Sequence, residues 1–141
     1  MEAEAASDKP IDPRAAAREW NALGCKAASE GRCRDAIAAF ERAITADAND
    51  PDLFNNRGYA RAALHDHAAA IADFDAALQL RPNFAAALNN RGLARLALCE
   101  YPAAAVDFDR ALELEPDFVL ASESRSLSRR RRRTRAGHRV L

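Results

Sequence analysis

The sequence predicts an all-α fold: an α-α superhelix of three helix-turn-helix repeats followed by a C-terminal capping helix. Two observations carry that expectation. Apolar and small residues return every 34 residues through most of the chain, and within each unit they fall at helical spacing. Composition agrees. Of the 141 residues, 49% are hydrophobic but only 6% aromatic, alanine supplies much of the apolar content, and β-branched residues are scarce. Alanine is the best helix former and lets helices approach closely, whereas a sheet would draw on β-branched side chains.

The repeat is legible column by column. Ala36, Ala70 and Ala104 share one register, Phe40, Phe74 and Phe108 a second, Ala43, Ala77 and Ala111 a third, and Ile44, Leu78 and Leu112 a fourth. Ile37 and Ile71 match, while the third unit has Ala105 there and Val106 one place later. Gly24, Gly58 and Gly92 mark a small site upstream. Pro82 and Pro116 close the second and third units, with Ala48 in that place in the first. The units span about 17–50, 51–84 and 85–118. Ala-Ile-x-x-Phe-x-x-Ala makes one apolar helix face, its alanines expected where two helices cross and its phenylalanines between neighbouring pairs. Trp20, Leu23 and Gly24 form a second stripe on the preceding helix, with the glycine admitting the partner.

Start and stop signals place the elements in order. Asp12-Pro13 and Asp50-Pro51 read as an N-cap followed by proline in the first turn, opening helices near 13–29 and 51–64. Gly31 breaks the first pair, so the second helix falls near 33–46. The turns His65-Asp66 and Cys99-Glu100 lack glycine but hold the same place, separating 51–64 from 67–80 and 84–98 from 101–114. Asn83 and Asp117 are expected to cap the helices that follow them. A fourth unit begins, with Arg125 in the register of Arg57 and Arg91 and Ser126 in that of the glycines. A capping helix near 119–128 is expected to cover the last repeat through Val119, Leu120 and Leu127. Residues 1–12 read as a disordered acidic N-terminus, 13–118 as the repeat domain and 129–141 as an Arg-rich tail. Ser128 follows Arg125 at a spacing that basophilic kinases favour.

Trp20-x-x-Leu23-Gly24, then Ala36-x-x-x-Phe40-x-x-Ala43, resembles the tetratricopeptide repeat. Asn55-Asn56-Arg57-Gly58 and Asn89-Asn90-Arg91-Gly92 resemble its Asn-rich variety, and the resemblance covers about 17–118. It implies a right-handed superhelix whose first helices line a concave groove for an extended peptide. The function it implies is that of an interaction module, an adaptor or scaffold, and not an enzyme. Matching columns put Arg18, Asn21 and Cys25, then Asp52, Asn55 and Tyr59, then Ala86, Asn89 and Leu93 on that groove, with Asn56 and Asn90 beside them. An Asn side chain carries two donors and an acceptor, so stacked asparagines suit recognition of a peptide backbone, similar to the Asn ladder in the repeat domain of O-GlcNAc transferases. Tyr59 and Leu93 would add apolar pockets. Co-chaperones of the family clamp a C-terminal carboxylate with two Lys, one Arg and two Asn. The corresponding positions here are Asn21, Cys25, Asn56, Ala86 and Asn90, of which only Asn56 matches and none is cationic. On that ground chaperone C-terminal tails are not expected as partners.

A formal net charge of zero hides an asymmetry. Residues 125–141 hold eight arginines and no acid, leaving 13 basic against 21 acidic residues before them. Arg129, Arg130, Arg131, Arg132, Arg133 and Arg135 read as a cationic tail kept disordered by its own repulsion. Its candidate roles are nuclear import or contact with a nucleic acid, contact with an acidic protein surface, or none. No aromatic interleaves the arginines, so base stacking is not expected.

Catalytic chemistry is not expected, nor a metal or cofactor. His65-Asp66-His67 lacks a third ligand and reads as a polar turn. Cys25 has no activating neighbour, and the five glycines are scattered and form no phosphate loop. The many carboxylates read as solvated or capping groups. An alternative is the repeat part of a larger glycosyltransferase-like assembly, with the chemistry elsewhere. Three cysteines without CxxC spacing, no long apolar run and a polar N-terminus point to a cytoplasmic location, or a nuclear one through the tail.

Overall fold

The computed structural model of the chain describes Pro10 and residues 12–137. The expected N-terminal segment, apart from those residues, and the end of the tail at 138–141 lie outside them. Among the described residues there are seven helices and no strand: α1 (Pro13–Ser29), α2 (Cys33–Ala46), α3 (Pro51–Ala63), α4 (His67–Leu80), α5 (Ala85–Ala97), α6 (Tyr101–Leu114) and α7 (Val119–Gly137). None is long and apolar enough to cross a membrane.

The expected aspartate caps are present. Asp12 Oδ1 accepts from Arg14 N at 3.0 Å and Asp50 Oδ1 from Asp52 N at 2.9 Å, each with proline opening the helix. Asp66 also caps, accepting from Ala69 N at 3.4 Å. Asn83 does not cap. α5 starts at Ala85 without a side-chain cap, and Asn83 Oδ1 instead accepts from Arg110 Nη2 at 3.0 Å. Asp117 likewise stands two residues before the start of α7.

The turn inside each pair needs one residue in the left-handed region. Gly31, His65 and Cys99 hold that place, with φ of 76°, 62° and 60°. An L-residue pays about 1–2 kcal/mol there and glycine almost nothing. His65→Gly and Cys99→Gly are therefore each expected to raise stability by about 1 kcal/mol, read as a higher denaturation midpoint in urea. A lower midpoint for both would show that the side chains contribute more than the strain costs.

Packing follows the columns. Ala36, Ala70 and Ala104 are fully buried, as are Ala43, Ala77 and Ala111, so second helices lie against first helices with only methyl groups between. The glycines serve the phenylalanines: a Cβ at Gly24, Gly58 or Gly92 would lie 2.5, 2.6 or 2.5 Å from the ring of Phe40, Phe74 or Phe108. Core clusters bridge units. Phe40 packs with Ala60 of the second unit, Phe74 with Ala94 of the third, and Ala17 and Ala43 with Leu53. Leu23 is 54% exposed, contrary to the stripe expected on α1. Trp20 is half-buried beside Ala17 and Ala43, with the Arg42 guanidinium 4.9 Å from its ring centre.

The C-terminal end differs most from expectation. α7 runs unbroken through the arginines, so 129–137 is helix and not a disordered tail. Arginine is a good helix former, and α7 is anchored: Arg125 Nη1 donates to Asp109 Oδ1 at 3.2 Å, and Arg129 Nη2 lies 4.0 Å from Asp109 Oδ2. The cap does not act through Leu127, which is 42% exposed. Ser128, 1% exposed, is the buried residue, in the column of Ala60 and Ala94. Its hydroxyl donates to the Ser124 carbonyl at 2.9 Å, so it is not presented for modification. The side chains of Val119 and Leu120 are outside the description.

Candidate peptide groove

α1 touches α3, α3 touches α5 and α5 touches α7, whereas among the described residues no second helix touches another second helix. First helices therefore crowd on the inside of a curve and second helices spread on the outside. The positions expected on the groove belong to these first helices. Arg18, Cys25, Asp52, Tyr59 and Leu93 are exposed, Asn21, Asn55, Asn56, Ala86 and Asn90 are half-buried, and Asn89 is only 3% exposed.

The asparagines are engaged with one another. Asn56 Nδ2 donates to Asn21 Oδ1 at 2.9 Å, and Asn90 Nδ2 donates to Asn55 Oδ1 at 3.0 Å, one unit later in the same register. Each bond ties a first helix to the next. It uses one N–H of the donor amide and leaves the amide N–H groups of Asn21 and Asn55 without a bond among the described residues. Position 124, where the next donor would stand, is a serine too short to continue the series, and Asn89 Oδ1 is buried with no partner among the described residues. Cys25 joins the first rung, its Sγ 3.9 Å from both Asn21 Oδ1 and Asn56 Nδ2. Burial pushes the Cys25 thiol up, the opposite of an activated nucleophile. Asp52 is paired with Arg81 at 3.3 Å.

Beyond the asparagines the groove deepens into an apolar pocket of ≈ 210 Å³. Tyr59, Ala62 and Ala63 of α3, His67 and Phe74 of α4, and Asn90, Leu93 and Ala94 of α5 line it. The expected contribution of Tyr59 and Leu93 is thus a single shared pocket. Across the turn, the His65 and His67 rings meet edge-on at 5.8 Å. No group of three or more His, Cys, Asp or Glu able to share an ion occurs among the described residues.

Behind the groove, two carboxylates expected to be solvated are buried. Asp73 and Asp107, 3% and 1% exposed, lie directly before Phe74 and Phe108. Arg57 holds Asp73 through Nε and Nη2 at 3.1 and 2.8 Å, and Arg61 adds a bond at 2.9 Å. Arg91 holds Asp107 at 3.0 and 2.7 Å, and Arg95 adds one at 2.8 Å. Arg91 Nη1 also reaches back to Asp75 at 2.9 Å, linking third unit to second. Burial would lower the Arg91 pKa, but its bonds and charge interactions with Asp107 and Asp75 outweigh that and hold the group above its ordinary value. The signal was available in the sequence: arginines 34 residues apart, each followed 16 residues later by an aspartate on an otherwise apolar face.

Tetratricopeptide repeat models match residues 21–83 and 85–118, and with the repeat geometry this places the chain in the tetratricopeptide repeat family. Among solved structures it is similar to the first such domain of Spaghetti (RPAP3) bound to the HSP90 peptide SRMEEVD: 30% identity, 83% of this chain and 93% of that chain covered, TM-score 0.82. It is also similar to the first domain of human RPAP3, at 29% identity over 89% and 98% of the two chains with a TM-score of 0.85. The second domain of human RPAP3, in complex with the HSP70 peptide SGPTIEEVD, matches at 29% identity over 83% and 98% with a TM-score of 0.80. No curated protein matches. These structures correct the exclusion of chaperone tails. Two of these similar domains hold such tails, so five clamp positions compared one at a time do not dismiss that ligand class. One set of cations is not the sole means of holding an acidic tail, since the rest of a groove also contributes contacts.

Proposed function

We propose that the chain is a non-catalytic interaction module that holds an extended peptide on the face built by α1, α3 and α5. The observation that carries this reading is the juxtaposition on one concave face of the cross-linked asparagines and the apolar pocket between Tyr59 and Leu93. The amides suit the backbone of an extended segment, and the pocket takes one apolar side chain. Acidic C-terminal tails of the kind held by the related domains belong among the ligands to be tried. Because three units offer a short groove, affinity is expected near micromolar, about −8 kcal/mol.

The test is a titration of SRMEEVD, SGPTIEEVD and a peptide library against the intact protein, Leu93→Glu, and Asn56→Ala with Asn90→Ala. Leu93 is 42% exposed, so its substitution tests the groove with little effect on packing. Any groove ligand is expected to weaken at least about tenfold, about 1.4 kcal/mol, with either variant. Ligands that bind both variants as well as the parent would place the binding surface elsewhere.

A further inference from the structure

We propose that α7 is a docking site for an acidic amphipathic helix, one in which an aspartate directly precedes an apolar residue. That helix would seat as the second helix of a fourth pair. α7 already occupies the place of a first helix. Ser128 is buried in the column of Ala60 and Ala94, and the Arg125–Asp109 bond repeats the Arg91–Asp75 bond one unit on. In the second and third units the remaining edge of that arginine, Nε and Nη2, grips an aspartate from the second helix, and the arginine four residues on grips it again. Arg125 and Arg129 reproduce that pair of arginines. The position that would supply the aspartate is Leu141, and α7 continues as helix through Arg133, where Gly31, His65 and Cys99 turn the earlier units back. The described helix therefore does not fold back over its own face.

The surface fits that occupant. Gly24, Gly58 and Gly92 are buried under phenylalanines, whereas Ser126 in the same column is exposed, as is Leu127. Glu123, Ser126, Leu127 and Arg130 line an open cleft of ≈ 410 Å³ there. The exposed arginines of α7 select an acidic partner. Ser126 brings a Cβ to a column where a Cβ would lie within 2.6 Å of a phenylalanine ring, so the apolar residue after the aspartate is a leucine in preference to a phenylalanine.

The probe is the α6 sequence, residues 101–114, carrying Phe108→Leu and held helical by a lactam staple on its exposed side. It is titrated into the ¹⁵N-labelled full chain. Expected are amide shifts centred on residues 123–130 and at least about tenfold weaker binding when the peptide carries Asp107→Asn. The same loss is expected when the protein carries Arg125→Gln with Arg129→Gln. Leu127→Glu, at an exposed position, gives an independent loss without touching the contacts to Asp109. Equal affinity of the Asn peptide, shifts on the concave groove instead, or no binding would each overturn the proposal. So would a single-stranded oligonucleotide that binds this surface at low salt in preference to the peptide, which would make it a phosphate-binding face.

Discussion

Asp107→Ala is expected to lower the unfolding free energy by about 3–5 kcal/mol, among the largest effects of any single substitution in the chain. The carboxylate is 1% exposed and accepts three bonds from two guanidinium groups. Removing it leaves Arg91 and Arg95, whose side chains are only 19% and 23% exposed, facing each other with no counter-charge between them. Arg91 retains Asp75, whose side chain is 49% exposed, and this keeps the loss toward the lower end. The chain itself contains the control. In the first unit the same three positions are Leu23, Ala27 and Ala39, none of them charged, with the two alanines buried. The triple variant Arg91→Leu, Arg95→Ala and Asp107→Ala is therefore expected to recover most of the loss, since removing a whole buried ion cluster is commonly near neutral where removing one member is not. Urea denaturation of the single and triple variants decides the matter. A triple variant no more stable than the single would mean that the ionic cluster contributes net stability of its own.

That cluster also marks where the sequence stopped being legible. Helix positions were readable almost to the residue, because caps, prolines and the 34-residue register all act locally and agree with one another. The groove-facing positions were assigned from the period alone: once it is known, columns follow. Two things were not legible. Asp73 and Asp107 break the apolar pattern, and a pattern reading assigns a charge to solvent unless its counter-charges are placed in space. Asn89 reads as one rung among equals, yet it is buried with an unpartnered oxygen because the rung after it is Ser124. The first depends on contacts between the two helices of one unit, the second on contacts between units.

The arginine-rich end was misread by treating its charge in isolation. Like charges repel in a free segment, but here Asp109 lies one unit back at the distance the register dictates. Amide bonds tie α1 to α3 and α3 to α5, and guanidinium–carboxylate bonds tie α4 to α5 and α6 to α7, so the stack is cross-linked into α7. A groove built this way is pre-organised, and an extended peptide that binds it pays mainly for its own ordering.

Phe74→Ala is expected to cost about 3–5 kcal/mol and to reduce the steepness of unfolding as well as its midpoint. Its ring is fully buried, covers Gly58 at the point where a Cβ would lie 2.6 Å away, and packs with Ala70 of its own unit and Ala94 of the next. Because stability in a stacked-repeat protein is the sum of unit and interface terms, weakening the middle unit uncouples the units on either side of it. Phe108→Ala is expected to cost a similar amount without that loss of cooperativity, since among the described residues only α7 lies beyond it. Gly58→Ala tests the same contact from the other side. Alanine gains about 1 kcal/mol of helix propensity, but its methyl must displace a ring with nowhere to go, at about 1–3 kcal/mol, so the net effect is destabilising. Combining Gly58→Ala with Phe74→Leu is expected to be less damaging than the sum of the two, because the smaller side chain makes room for the methyl. Additive losses in that double variant would mean that the glycine is required for the approach of the helices themselves and not for the ring.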